Sequence, residues 1–236
     1  MADGLNEACG VMGCVASQWP SVDLDIPYVI CEGLLQLQHS RVYVDFFFRG
    51  QESAGIVTSQ GEAESPLKVH RGRGMVSSVF ASSETLRDLQ GNLGIGHTRY
   101  STMGGACPSN QQPFVVHSFD GPLAVAHNGE LVNARSLRKM VFSKGVGLST
   151  QSDSELITQI LCLLPDQDES PDWGYRIRNL MSLSPVSYSL LILHGSSVYG
   201  VRDRFGNRPL CVGKITDGES VNRTEDCHLQ WDRHIG

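Results

Sequence analysis

The sequence predicts an α+β domain built in packed layers. Strand-like segments gather toward both ends of the chain and helical segments lie between them, so the regular alternation that builds a parallel sheet is missing. With 236 residues and 40% apolar content, the chain is long and apolar enough to bury a sizeable core. No internal repeat and no low-complexity linker divides it.

The elements follow in order. Residues 9–17 form a first strand. Residues 25–39 form a helix, because Ile26, Val29, Ile30, Leu34 and Leu37 recur on one helical face. Residues 42–48 are β-branched and aromatic; they suit a strand and are an aggregation hazard if exposed. A short strand is expected at 55–59 and a helix at 83–90, with Ser83 as its cap. Residues 93–101 and 114–119 read as strands, and 123–134 as a hairpin entering a helix. Two more helices span 152–164 and 172–182, the second opening after Pro171. Strands at 187–194, 198–202 and 210–215 close the domain, and the polar, aperiodic residues 217–236 form a loose tail.

Composition excludes some functions. A net charge of −6 argues against a nucleic-acid binder, which needs a basic face. No apolar run reaches the about 18 residues of a membrane span. Seven cysteines make an odd number with no C-x-x-C pair, and the start lacks a basic segment followed by an apolar one. A cytoplasmic protein with free thiols is the expectation.

Four short motifs carry chemistry. If residues 1–8 are removed, Cys9 becomes N-terminal and its α-amine can serve as base for its own thiol. Such an amine has a pKa of about 7.7–8.0, so a useful fraction is neutral near pH 7. The competing reading is a small buried cysteine on a strand. Arg99, in Gly96-His97-Thr98-Arg99-Tyr100 at a strand end, is either a surface arginine or a fork for a carboxylate. Asn128-Gly129 offers an amide and a backbone N–H as an oxyanion hole, but Asn-Gly between apolar residues is also the strongest short hairpin signal. Ser152-Asp153-Ser154-Glu155 opens a helix, either as a capping box with Glu155 reaching back or with Asp153 holding an ammonium group. His127 and Glu130 lack a third ligand, so no metal site is expected. Residues 202–210 read as a turn punctuated by Gly206 and Pro209, with no assigned chemistry.

Taken in order, the motifs resemble the glutaminase domain of the amidophosphoribosyltransferase family, within the N-terminal-nucleophile (class II) glutamine amidotransferases. The resemblance rests on Cys9-Gly10-Val11, Arg49-Gly50-Gln51-Glu52-Ser53-Ala54-Gly55, Gly94-Ile95-Gly96-His97-Thr98-Arg99-Tyr100, His127-Asn128-Gly129-Glu130-Leu131-Val132-Asn133, Ser152-Asp153-Ser154-Glu155 and Gly206-Asn207-Arg208-Pro209-Leu210. It implies a four-layer αββα sandwich, truncated at its C-terminal edge. It implies that Cys9 attacks the side-chain amide of L-glutamine while its freed α-amine shuttles the proton. Asn128 and Gly129 would hold the oxyanion, Arg99 the α-carboxylate and Asp153 the α-ammonium, with Tyr100 and Thr102 lining the pocket.

Full-length members pass ammonia to phosphoribosyl pyrophosphate in de novo purine synthesis, forming phosphoribosylamine, pyrophosphate and glutamate. They are homo-oligomers that use Mg²⁺, and some hold an iron–sulfur cluster. No cofactor is expected in this chain. The implied plan is a propeptide at 1–8, the glutaminase domain at 9–216 and a divergent tail at 217–236, with the phosphoribosyltransferase domain absent. Residues 40–48 are an insertion between His39 and Arg49, where family members run on directly. Their apolar, aromatic character is expected to impair glutamine hydrolysis. The alternative to a working glutaminase is a non-catalytic fragment that associates with full-length subunits.

Overall fold

In the computed structural model, two four-stranded antiparallel sheets face each other. Residues 9–16, 24–39, 53–62, 65–99, 108–163 and 172–214 are described. The strand expected at 42–48, the insertion at 40–48, the propeptide, Tyr100, Thr102 and the tail at 217–236 lie outside them. The first sheet holds β1 (Gly10–Val15), β2 (Ser53–Ser59), β3 (Lys68–Arg73) and β4 (Leu93–Arg99), in the order β1-β4-β2-β3. The second holds β5 (Phe114–Ser118), β6 (Gly121–Gly129), β7 (Tyr188–His194) and β8 (Ser197–Arg202), in sequence order.

Alternation along each strand builds the layers, because successive side chains point to opposite faces of a sheet. Val57, Leu93 and Ile95 meet Ala124, Ala126, Leu191 and Leu193 between the sheets. The alternate residues, Ala54 and Ile56, face outward and pack against Ile26, Ile30 and Leu34 of helix α1 (Ile26–His39) and Val76 of the short helix α2 (Val76–Val79). A one-turn-and-a-half helix, α3 (Ser83–Asp88), follows beside them. On the far side, Leu123, Val125, Leu190 and Ile192 bury themselves under α4 (Ala134–Ser143), α5 (Asp153–Cys162) and α6 (Trp173–Leu183). The αββα sandwich is therefore borne out. Each fully buried aliphatic side chain in these three clusters contributes roughly 1.5–3 kcal/mol.

Several local expectations change. The charged strand β3 (Lys-Val-His-Arg-Gly-Arg) was not anticipated; it is an edge strand, where charge is tolerated and discourages pairing with other chains. The Asn128-Gly129 hairpin does not form. β6 runs straight through both residues, which pair with Ser189 and Tyr188 of β7, and the β5–β6 turn lies at Phe119–Asp120 instead. Gly129 is needed for another reason: its φ is +143°, and a Cβ there would stand 2.0 Å from the Ser187 carbonyl oxygen. Ser82, not Ser83, caps α3, accepting from the Glu84 N–H. Residues 210–214 form no strand, although Leu210 packs on the inter-sheet core.

Candidate active site

The apolar core between the sheets gives way to polar residues at one end. Val11 on β1 and Leu93 and Ile95 on β4 face the second sheet, and Cys9, His97 and Arg99 continue those same faces. The β1–β4 register pairs Gly10 with Thr98, so one further step sets Cys9 opposite Arg99. Ser53 of β2 is the other neighbour of Arg99. Across the gap, Asn128 is the next residue on the face that carries Ala124 and Ala126. The sheets touch here through His97, whose Nε2–H donates to the His127 carbonyl at 3.1 Å. Cys9, Arg99 and Asn128 thus gather on facing surfaces at one end of the sandwich.

The ladder direction exposes one further group. In an antiparallel pair only alternate residues bond to a given neighbour. Glu130 exchanges both backbone hydrogen bonds with Ser187, so the β7-facing rungs fall on Asn128 and Glu130. The Gly129 N–H therefore points to the opposite side, where β5 has already ended. Asn128 is buried beside it, and its Oδ1 has no hydrogen-bond partner among the described residues.

The first turn of α5 is fastened to this end of β6. Asp153 Oδ2 accepts from the Leu131 N–H at 3.0 Å, and Oδ1 accepts from Arg138 at 3.2 Å. A carboxylate offers about four acceptor sites, so capacity for a further donor remains. Ser154 Oγ lies 3.1 Å from His127 Nδ1. The expected capping box is only half formed. Ser152 Oγ accepts from the Ser154 N–H, but Glu155 does not reach back to Ser152. Its carboxylate instead takes the N–H groups of Ser149 and Thr150, at 2.7 and 2.6 Å, and the Thr150 hydroxyl. These local donors satisfy a buried charge that a lone cap would leave under-bonded.

Residues 202–210, left without chemistry by the sequence, are organised by buried Asp203. It accepts from the Phe205 N–H at 2.9 Å and the Tyr188 N–H at 3.3 Å, tying that turn to the strand beside Gly129. Arg138, Ser154, Asp203 and Gln112 are the contributors that sequence reasoning missed. For Ser154 the signal was present, since it lies inside the Ser-Asp-Ser-Glu motif.

Electrostatics keep this interior neutral. Burial pushes His97 down to about 3, helped by the neighbouring His127, and burial with the Arg208 charge pushes His127 to about 3. Unfolded histidines titrate near 6.5, so the stability contributed by these neutral rings is whole above about pH 6.5 and is lost as pH falls toward 3. Denaturant titrations between pH 8 and 5 should show a midpoint that is flat down to about 6.5 and then falls. Below that pH, the two rings should raise proton uptake on unfolding by close to two protons. His97→Gln should lower this uptake by about one proton, and an unchanged uptake would contradict the neutral-pair description.

Burial raises the thiols of Cys31 and Cys162 to about 11 and lifts that of Cys14, which makes them poor nucleophiles. Among the described residues no group of three His, Cys, Asp or Glu side chains comes together to hold a metal ion. No helix of the described residues is long and apolar enough to cross a membrane.

Residues 97–222 match the glutamine amidotransferase domain family, and the chain belongs to it. The similarity is narrower than that. Amidophosphoribosyltransferase of Mus musculus is 52% identical over 225 residues, covering 94% of this chain and 42% of that protein. A solved structure of the allosteric regulatory enzyme of purine biosynthesis superposes with a TM-score of 0.72 at 33% identity, covering 88% of this chain and 40% of that one. The glutamine phosphoribosylpyrophosphate amidotransferase from B. subtilis, complexed with ADP and GMP, gives a TM-score of 0.68 at 32% identity, with coverage of 89% and 40%. The resemblance to amidophosphoribosyltransferases is borne out, and the chain spans about two fifths of the length of the curated relatives it matches.

Proposed function

We propose that this chain is the glutamine-hydrolysing half of an amidophosphoribosyltransferase. Cys9, once N-terminal, attacks the side-chain carbonyl of L-glutamine, and its α-amine takes the thiol proton. The tetrahedral oxyanion is held by the Asn128 side-chain amide and the Gly129 N–H. The intermediate collapses as the C–N bond breaks, and the α-ammonium returns its proton to the departing ammonia. Water, deprotonated by the same amine, then cleaves the thioester to give glutamate and regenerate the thiol. Arg99 pairs with the substrate α-carboxylate and Asp153 with its α-ammonium, while Tyr100 and Thr102 line the pocket. Ammonia passes to phosphoribosyl pyrophosphate on a part of the protein outside this chain.

The observation that carries this reading is the meeting of Cys9, Arg99 and Asn128 on facing sheet surfaces, beside a Gly129 N–H that no strand neighbour takes. While Ala8 is attached, the Cys9 nitrogen is an amide and cannot act as a base, so processing is part of the proposal. The test is an intact mass before and after exposure to an electrophilic glutamine analogue. A mass matching residues 9–236 with one adduct on Cys9 is expected. An unprocessed, unlabelled chain would overturn the reading, and its co-purification with full-length subunits would point to the non-catalytic alternative.

A further inference from the structure

The geometry points to Gln112 as the residue that positions the oxyanion donors, a role that rests on the glutamine-site reading above. Gln112 is buried, with 7% of its surface exposed. Both ends of its side-chain amide are spent on a single residue of β6. Oε1 accepts from the His127 N–H at 2.7 Å, and Nε2 donates to the His127 carbonyl at 3.3 Å. That is the two-bond exchange of an antiparallel rung, made by a side chain instead of a backbone.

The register shows which rung the side chain replaces. The β5–β6 register, with Phe114 opposite Val125, would bring Gln112 opposite His127. Yet the strand ladder begins only at Phe114, so the Gln112 backbone makes no rung in it. The Gln112 amide supplies the missing rung. The next rung on that side belongs to Gly129, whose N–H no described strand residue takes. Gln112 thus holds the β5-facing side of β6 up to the residue before the donor pair and leaves that side open at Gly129.

Gln112 is itself braced from the facing sheet. The Arg71 guanidinium donates to the carbonyls on either side of it, Gln111 at 3.1 Å and Pro113 at 3.0 Å. Gly55, paired directly with Arg71, leaves room for its backbone: a Cβ at Gly55 would lie 2.2 Å from the Gln112 carbonyl oxygen. This gives a local reason for glycine at the end of the Arg49-to-Gly55 motif. Position is thereby passed from the first sheet through Gln112 to His127, and from there to Asn128 and Gly129.

Donors that act on a developing oxyanion govern the chemical step more than substrate binding. Gln112→Met keeps the length and removes both hydrogen bonds. In the processed chain it should lower kcat for glutamine hydrolysis by about 10- to 100-fold and change KM by less than about threefold. Hydrogen exchange at the Asn128 amide, which β7 holds, should accelerate while the β1–β4 amides stay protected. Should Gln112→Met fold poorly, Arg71→Lys should shift kcat and exchange in the same direction by a smaller factor. A variant that melts earlier yet keeps wild-type kcat and wild-type exchange at Asn128 would overturn the proposal. A wild-type chain that neither turns over nor labels at Cys9 would instead overturn the glutamine-site reading, while exchange would still report whether Gln112 holds residues 127–129.

Discussion

Cys9→Ala is expected to remove glutamine hydrolysis down to the detection limit while leaving the sandwich folded. Cys9 precedes β1 and belongs to none of the three apolar clusters, so losing its sulfur should shift stability by no more than about 0.5 kcal/mol. Cys14, Cys31 and Cys162 are poor substitutes, because Cys31 and Cys162 are held near 11 and Cys14 is raised by burial. Arg99, Asp153 and Asn128 are untouched, so calorimetry should still detect glutamine binding, within a few-fold of wild type. Cys9→Ser should be nearly as inactive, since a hydroxyl is a far weaker nucleophile at neutral pH. Ammonia release and binding measured on the same preparation check both halves. Residual hydrolysis above about one per cent of wild type would mean that another group attacks the amide.

Gly129→Ala is expected to fail on both stability and rate. At φ +143° the backbone lies where side chains are essentially excluded, which costs about 1–3 kcal/mol before any contact is counted. The added Cβ would also stand 2.0 Å from the Ser187 carbonyl oxygen and 2.8 Å from the Tyr188 Cα, both backbone atoms. The β6–β7 junction must open to admit it, and the Glu130–Ser187 exchange of hydrogen bonds lies at that junction. A loss of at least ~3 kcal/mol, or about 6–12 °C in Tm for a domain of this size, is the expected thermal result. Turnover should fall by roughly 100-fold or more, because the Gly129 N–H moves with the junction. Thermal denaturation alongside activity at 20 °C would show it. A variant with wild-type Tm would mean that the strand end relaxes freely, contrary to the packing described here.

The parts of the fold legible in the sequence are those where one residue pattern has one meaning. Strands β4, β6 and β7 alternate or run apolar, and α1, α5 and α6 keep a helical stripe, so their existence follows from local pattern alone. The charged β3 escaped notice because an edge strand need not show apolar alternation. Asn128-Gly129 misled as a hairpin because a glycine that permits positive φ in a turn equally permits close approach to a crossing backbone. The motif residues were legible as a set through the resemblance, and the fold brings Cys9, Arg99 and Asn128 to one end, with Asp153 fastened just after Gly129. Gln112 was not legible. Its significance arises from a ladder that begins only at Phe114 and a register set by pairing that only the folded chain reveals. Glu155 was read as a cap because spacing predicts who is near, while burial decides which donors must be satisfied.

The placement of the first strand has a consequence of its own. Among the described residues β1 is an outer strand, hydrogen-bonded along one side only, to β4. Its detachment would spare the β2–β4 ladder and the entire second sheet. Cys9 is carried on that margin, whereas Asn128 and Gly129 sit on β6, between two neighbours for most of its length. Peeling of the margin would withdraw Cys9, the proposed nucleophile, from Asn128 and Gly129 while most of the molecule stayed intact. In such a layout a population can look fully folded to spectroscopy and still be partly silent, so specific activity and global stability report on different equilibria.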